Sequence, residues 1–195
     1  MRAMLRRLAA RLTRRPALDM FADNWLEIVV GDITTQDVEV VVNAAKSSLM
    51  GGSGVDGAIH RAGGPEILEA CKLLRDRYYP NGLAVGSATY TTAGRMRASW
   101  CVHTVGPVFS SIDNRADLLR RCYTESLAIA DGFNAESIAF PLISAGVYGW
   151  PKEDAIRQAL IAIRSYDRTT IKKVRLVLFS DEELAMAAEL KGVVW

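Results

Sequence analysis

Residues 40–60, VVVNAAKSSLMGGSGVDGAIH, pass from an apolar β-branched run through a glycine-rich loop into the start of a helix. The run Val40-Val41-Val42 predicts a strand buried on both faces, as in a sheet with helices on each side. Gly51, Gly52 and Gly54 allow positive φ and let backbone N–H groups approach a ligand with no Cβ in the way. Asp56 is expected at or near the N-cap of the helix that begins GAIHRA, where a carboxylate satisfies free amides and where a phosphate would be equally at home. A plain cap needs one polar residue. Here Asn43, Lys46 and Asp56 share one short segment with three glycines.

A second junction of this kind lies about ninety residues on. Ser137–Ile143 reads as an apolar strand, followed by Ser144-Ala145-Gly146-Val147-Tyr148-Gly149 and by Pro151, a residue favoured in a first helical turn. Ile156, Leu160 and Ile163 then recur at helical spacing. Ligands of α/β sheets bind beyond the carboxyl ends of strands, so two such loops from one sheet can face one ligand, and a diphosphate is the natural candidate.

The chain has 195 residues, which suits one α/β unit with a substantial core. Three scattered cysteines, Cys71, Cys101 and Cys122, fit a reducing cytoplasm, and neither they nor His60 and His103 have the spacing of a zinc site. No metal is therefore expected. His60 and His103 are read as packed or structural residues, with a site role conceivable for His60, four residues after Asp56. No apolar run approaches the roughly twenty residues of a membrane span.

Charge is unevenly spread. Residues 1–15 hold six arginines and no acid, leaving 18 basic against 22 acidic residues in the remainder. With Met4, Leu5, Leu8 and Leu12 at helical spacing, this segment could form a basic amphipathic helix. A solvated extension or docked helix is the favoured reading, ahead of a membrane or nucleic-acid contact. It also resembles an organellar transit peptide in being rich in arginine and poor in acid.

Strands are expected at 25–30, 38–43, 85–91, 99–105, 137–143 and 173–179. Helices are expected at 56–76, interrupted near Gly63-Gly64-Pro65, and at 115–131, 151–165 and 181–191. Such alternation implies helices on both faces of a mixed, mostly parallel sheet.

GDIT at 31–34, NAAKSSLMGGSGVDGAIHRAGGP at 43–65, VHTVGP at 102–107 and ISAGVYGWP at 143–151 together resemble macrodomains of the MacroD type. That class includes bacterial O-acetyl-ADP-ribose deacetylases and mono-ADP-ribosyl hydrolases. The resemblance implies a three-layer α/β/α sandwich of about six strands over 21–195, after a basic extension at 1–20. It also implies ADP-ribose as the ligand. Asp32 then corresponds to the aspartate that accepts from the adenine amino group, with the backbone of Ile33 completing that contact, and Asn43 lies near the distal ribose. Gly52, Gly54 and Val55, with Ser144, Ala145, Gly146 and Val147, match the diphosphate cradle. Tyr148 corresponds to an aromatic beside the distal ribose, and Phe179 to one against adenine.

In the resembling hydrolases the aspartate at position 56 positions or activates a water, and an asparagine ten residues earlier completes the site. Here that asparagine is Lys46, which has donors only and carries a charge. Lys46 could pair with Asp56 and make it a poorer base, stabilise a leaving carboxylate or the diphosphate, or point into solvent. Ser53 within the glycine run and Ala145, where threonine is usual, are milder departures. The expectation is a monomeric, cytoplasmic hydrolase of ester bonds to the distal ribose, acting on O-acetyl-ADP-ribose or on ADP-ribosylated acidic side chains of proteins, with Asp56 and Lys46 at the reacting end. No cofactor is expected. The alternative is a non-catalytic ADP-ribose reader. Nucleic-acid binding through the arginine-rich segment is less favoured and would show steep salt dependence.

Overall fold

The computed structural model of the protein describes residues 25–191, so the arginine-rich segment at 1–15 lies outside the described residues. Six strands form one sheet: β1 (Leu26–Val30), β2 (Val40–Ala44), β3 (Ala88–Thr92), β4 (Trp100–Thr104), β5 (Ser137–Pro141) and β6 (Lys173–Leu178). Their spatial order is β1-β6-β5-β2-β4-β3. All neighbours run parallel except β3, which pairs antiparallel with β4 at one edge.

Among the described residues five α-helices cover the sheet: α1 (Gly54–Gly63), α2 (Pro65–Arg77), α3 (Ala116–Gly132), α4 (Lys152–Ser165) and α5 (Asp181–Lys191). The side-chain period of two along a strand divides the core into two halves. Val40 and Val42 pack into one half with Leu119, Leu127, Ile156 and Leu190 from α3, α4 and α5. Val41 packs into the other with Ile59, Ile67 and Cys71 from α1 and α2. The result is the expected three-layer α/β/α sandwich of six strands. Among the described residues no helix is long and apolar enough to cross a membrane.

Element boundaries differ from the sequence expectations where backbone geometry intervenes. The helix expected at 56–76 is divided at the expected interruption, where Gly64 takes φ 82° and Pro65 opens α2. α1 begins at Gly54 with Ser53 as N-cap, so Asp56 is not the cap but the third helical residue. β3 starts at Ala88 and not at 85, after a turn in which Gly86 has φ 81°. β5 ends at Pro141, Pro151 is the N-cap of α4 and not within its first turn, and Phe179 lies one residue past β6.

β1, β6, β5, β2 and β4 end at the same edge of the sheet. The segments that follow them, near residues 31–36, 45–53, 105–109, 142–151 and 179–180, therefore gather there.

Candidate functional site

A cavity of ≈ 840 Å³ opens at this edge, within the roughly 300–1,000 Å³ usual for small-molecule and cofactor sites. The β1 turn contributes Asp32 and Ile33, the β2–α1 segment contributes Lys46, Gly54, Val55 and Asp56, and the β5–α4 loop contributes Ser144, Ala145, Gly146, Val147 and Tyr148. Phe179 closes one end, and it is 89% exposed. Of the residues singled out in the sequence, Asn43 and Gly52 do not line the cavity. Asn43 is fully buried behind Asp56, while Gly52 sits between Lys46 and Asp56.

Each loop is shaped by its backbone. Gly51 and Gly54 take φ 75° and 60°, so the chain enters α1 by a path that L side chains rarely adopt. The first N–H groups of α1 have no helical partners. In the second loop Ser144 itself adopts φ 67°, a strained value for a residue with a Cβ. Its carbonyl accepts from Trp150 N–H at 3.0 Å, and Gly146 O accepts from Gly149 N–H at 2.9 Å, which closes the loop on itself. Trp150 Nε1–H donates to Asp154 Oδ2 at 2.8 Å and ties the loop to α4. A Cβ on Gly106, in the segment that follows β4, would come within 2.2 Å of Ser144 Oγ and 2.7 Å of Ile143 Cγ2, so any larger residue there would displace side chains at the start of the second loop.

At the Asp32 end the carboxylate Oδ1 accepts from the backbone N–H and the hydroxyl of Thr34, both at 2.8 Å. Asp32 is exposed and lines the cavity, and its other oxygen has no partner among the described residues. Nearby, buried Glu183 accepts from Phe179 N–H at 2.8 Å and pairs with the Lys152 ammonium at 3.0 Å. Glu183, Lys152 and Gly106 all line the cavity and were not singled out in the sequence as site residues. Ser180 followed by Glu183 has the spacing of a capping box, a signal that could have found the glutamate.

At the other end Asp56 is 4% exposed, and its Oδ1 accepts from Asn43 Nδ2 at 2.8 Å. His60 Nε2 stands 3.5 Å from the same oxygen, long for a hydrogen bond. Asp56 Oδ2 and Asn43 Oδ1 are buried acceptors without a protein partner. Lys46 is exposed and makes no ion pair or hydrogen bond among the described residues. Its ammonium and Asp56 Oδ2 would each be 3.1 Å from a Cβ on Gly52, so both groups flank that glycine while remaining unpaired.

His60, Cys71 and His103 lie far apart in sequence, yet their ligand atoms come within 4.8 Å of one another. The hydrogen-bond polarity does not suit a cation. His103 Nδ1 faces the Asn43 amide donor at 3.1 Å and so must be the acceptor, which leaves the proton on Nε2, 2.8 Å from Thr91 Oγ1. Burial also pushes the Cys71 thiol up to about 12, with the nearby Asp56 charge adding to the effect. All three cysteines are free and buried.

A smaller cavity, ≈ 350 Å³, is lined by Phe109, Arg115, Arg120 and Trp150. Its arginines are already engaged, Arg115 by Asp113 and Arg120 by Asp117 and Gln158.

An open α/β sandwich with two glycine-bearing loops and a buried carboxylate lining one cavity beyond the carboxyl ends of its strands has the architecture of a class suited to nucleotide ligands. The Macro domain family model matches residues 42–159, and the chain belongs to that family. It is 55% identical over 154 residues to a Macro domain-containing protein of Streptomyces griseus, covering 79% of this chain and 87% of that one. It is 44% identical over 170 residues to O-acetyl-ADP-ribose deacetylase 1 of Pantoea vagans, covering 85% and 97%. A variant of the Oceanobacillus iheyensis macrodomain, solved with ADPR, superposes with a TM-score of 0.83 at 39% identity, covering 88% and 95%.

Proposed function

We propose that this macrodomain binds ADP-ribose along the larger cavity and hydrolyses ester bonds to its distal ribose. Adenine lies between Asp32 and Phe179. The diphosphate lies between the Gly54–Val55 and Ser144–Val147 segments, and the distal ribose lies beside Tyr148, Asn43 and Asp56. Backbone N–H groups at the start of α1 favour a phosphate by hydrogen bonding and by the helix dipole. The substrates are O-acetyl-ADP-ribose and proteins carrying mono-ADP-ribose on acidic side chains.

The observation that carries the reading is the state of Asp56, a buried carboxylate with one oxygen fixed by Asn43 and the other unpartnered at the cavity. A general base must hold its own position while leaving an acceptor free for the proton it takes. Asp56 Oδ2 offers such an acceptor to a water or a ribose hydroxyl, with Asn43 behind it holding the other oxygen. Water attacks the ester carbonyl, giving up its proton towards Asp56. The tetrahedral intermediate collapses by breaking the bond between the acyl carbon and the ribose oxygen, the ribose oxygen takes that proton back from Asp56 and departs as a hydroxyl, and the acid product ionises to a carboxylate. The unpaired Lys46 ammonium supplies positive charge on the side where negative charge develops.

The asparagine-to-lysine departure also supports a second reading, a reader that binds ADP-ribose without turnover. Incubation with O-acetyl-ADP-ribose and with glutamate-linked ADP-ribosyl protein, following ADP-ribose release, separates the two. Release from either substrate supports the hydrolase. Tight ADP-ribose binding with no release from either, by wild type and by Lys46→Asn alike, leaves the reader.

A further inference from the structure

We propose that His103 is a positioning residue for the reacting end, orienting the Asn43 amide so that Asn43 in turn orients the Asp56 carboxylate. The inference rests on the hydrolase reading only for its kinetic consequence, since the hydrogen-bond chain is independent of turnover.

The chain follows from strand register. β2 and β4 run parallel with Asn43 opposite His103, and β3 runs antiparallel to β4 with Thr91 two residues from the Thr89 that faces His103. All three side chains are buried on the α1/α2 side of the sheet, where Thr91 is 5% exposed and Asn43 and His103 are fully covered. Thr91 Oγ1–H donates to Thr92 O at 2.9 Å, so the hydroxyl oxygen is free to accept from His103 Nε2–H at 2.8 Å. His103 Nδ1 then accepts from Asn43 Nδ2 at 3.1 Å, and the other Nδ2 hydrogen goes to Asp56 Oδ1 at 2.8 Å. In this arrangement each of these protons has a partner, and Cys71 Sγ also stands 3.8 Å from His103 Nε2.

This polarity fixes an otherwise ambiguous amide. Rotating the Asn43 side chain by half a turn would set its carbonyl oxygen against the Asp56 carboxylate, and the His103 acceptor would lose its donor. Both Asn43 Nδ2 hydrogens are thus committed to protein partners, one of them to the Asp56 carboxylate that borders the cavity. The scheme needs a neutral ring. Burial, and then the neighbouring His60, lower His103 to about 3, so the imidazole keeps one donor and one acceptor nitrogen at neutral pH.

The test compares His103→Gln, His103→Phe and Thr91→Val with wild type. Glutamine can accept from Asn43 and donate to Thr91, phenylalanine can do neither, and Thr91→Val removes the acceptor that selects the tautomer. Nitrogen-15 NMR of the wild type should show His103 protonated on Nε2, with the Asn43 side-chain amide protons protected from exchange. His103→Phe should lose that protection and lower kcat about tenfold or more, the order expected when one charge-assisted hydrogen bond is misaligned. ADP-ribose affinity should change by no more than about threefold, since most of the ligand is held elsewhere. His103→Gln should restore the protection and most of kcat, while Thr91→Val should fall between.

The proposal is overturned by an Nδ1-protonated His103 in the wild type, by full kcat in His103→Phe, or by equal losses in the glutamine and phenylalanine variants. If His103→Phe does not fold, the wild-type tautomer and Thr91→Val decide. If the wild type turns over no ester, the hydrolase reading falls, while tautomer and amide protection still decide the role of His103.

Discussion

The side chains at the two ends of the cavity work differently. Asp32 uses one oxygen to cap the turn at Thr34 and leaves the other without a partner among the described residues. Asp32→Asn keeps the capping oxygen and replaces the other one by a donor. Calorimetry should show ADP-ribose binding weakened by about 1.5–3 kcal/mol, the worth of a charge-assisted hydrogen bond, without loss of fold. Unchanged affinity would move adenine elsewhere. Lys46 is a different case, because the geometry offers it no ion pair with Asp56 to break. Lys46→Asn should therefore lower kcat/KM on O-acetyl-ADP-ribose by a few-fold, as expected of a solvent-screened charge. A rise in rate would instead mean that lysine restrains Asp56. Neither orientation can be read from sequence, since both depend on where a flexible stem lies.

At the scale of elements, the strands were legible because central parallel strands read as apolar runs, and β2 was recognisable from three valines alone. The two loops were legible because glycine clusters between an apolar strand and a helix stand out in a sequence. What sequence could not supply was register. His103 looked like a core histidine in WCVHTV, and only its position opposite Asn43 links it to Asp56. The entry into α1 was misplaced by two residues because Gly54, with φ 60°, is itself helical in hydrogen bonding. Gly146 tests the second loop. A Cβ there meets nothing within 4 Å, so Gly146→Glu should fold normally by circular dichroism. It should nevertheless abolish ADP-ribose binding through bulk and like charge beside the diphosphate. Normal binding by a folded variant would remove the diphosphate from this loop.

Asp131, at the end of α3, tests how the helix layer is fastened to the segment that enters β6. Partial burial raises its pKa, but hydrogen bonds from the Thr170 N–H and hydroxyl and the Thr169 N–H outweigh this and hold it at about 2. A depressed carboxylate contributes stability that is present above its unfolded value near 3.8 and lost as pH falls through about 2. Asp131→Asn should lower stability at pH 7 by roughly 1 kcal/mol after allowance for solvent screening. The difference from wild type should shrink as pH drops from 4 towards about 2. Urea unfolding across that range measures it, and a pH-independent difference would contradict the account.

For the molecule as a whole, one sheet does two jobs. Its carboxyl edge gathers five loops around a cavity. Its α1/α2 face carries a buried hydrogen-bond chain from Thr92 to Asp56 that ends at this cavity. The proposed function spreads binding along the cavity and concentrates proton transfer on one carboxylate, so the two should separate on mutation. The most direct measurement is the pair of kcat on O-acetyl-ADP-ribose and Kd for ADP-ribose in wild type and Asp56→Ala. The account predicts a fall in kcat of about 10²–10⁴-fold, the usual worth of general-base help, with Kd changed only a few-fold. Equal losses in both, or an alanine variant that hydrolyses the ester as fast as wild type, would contradict it.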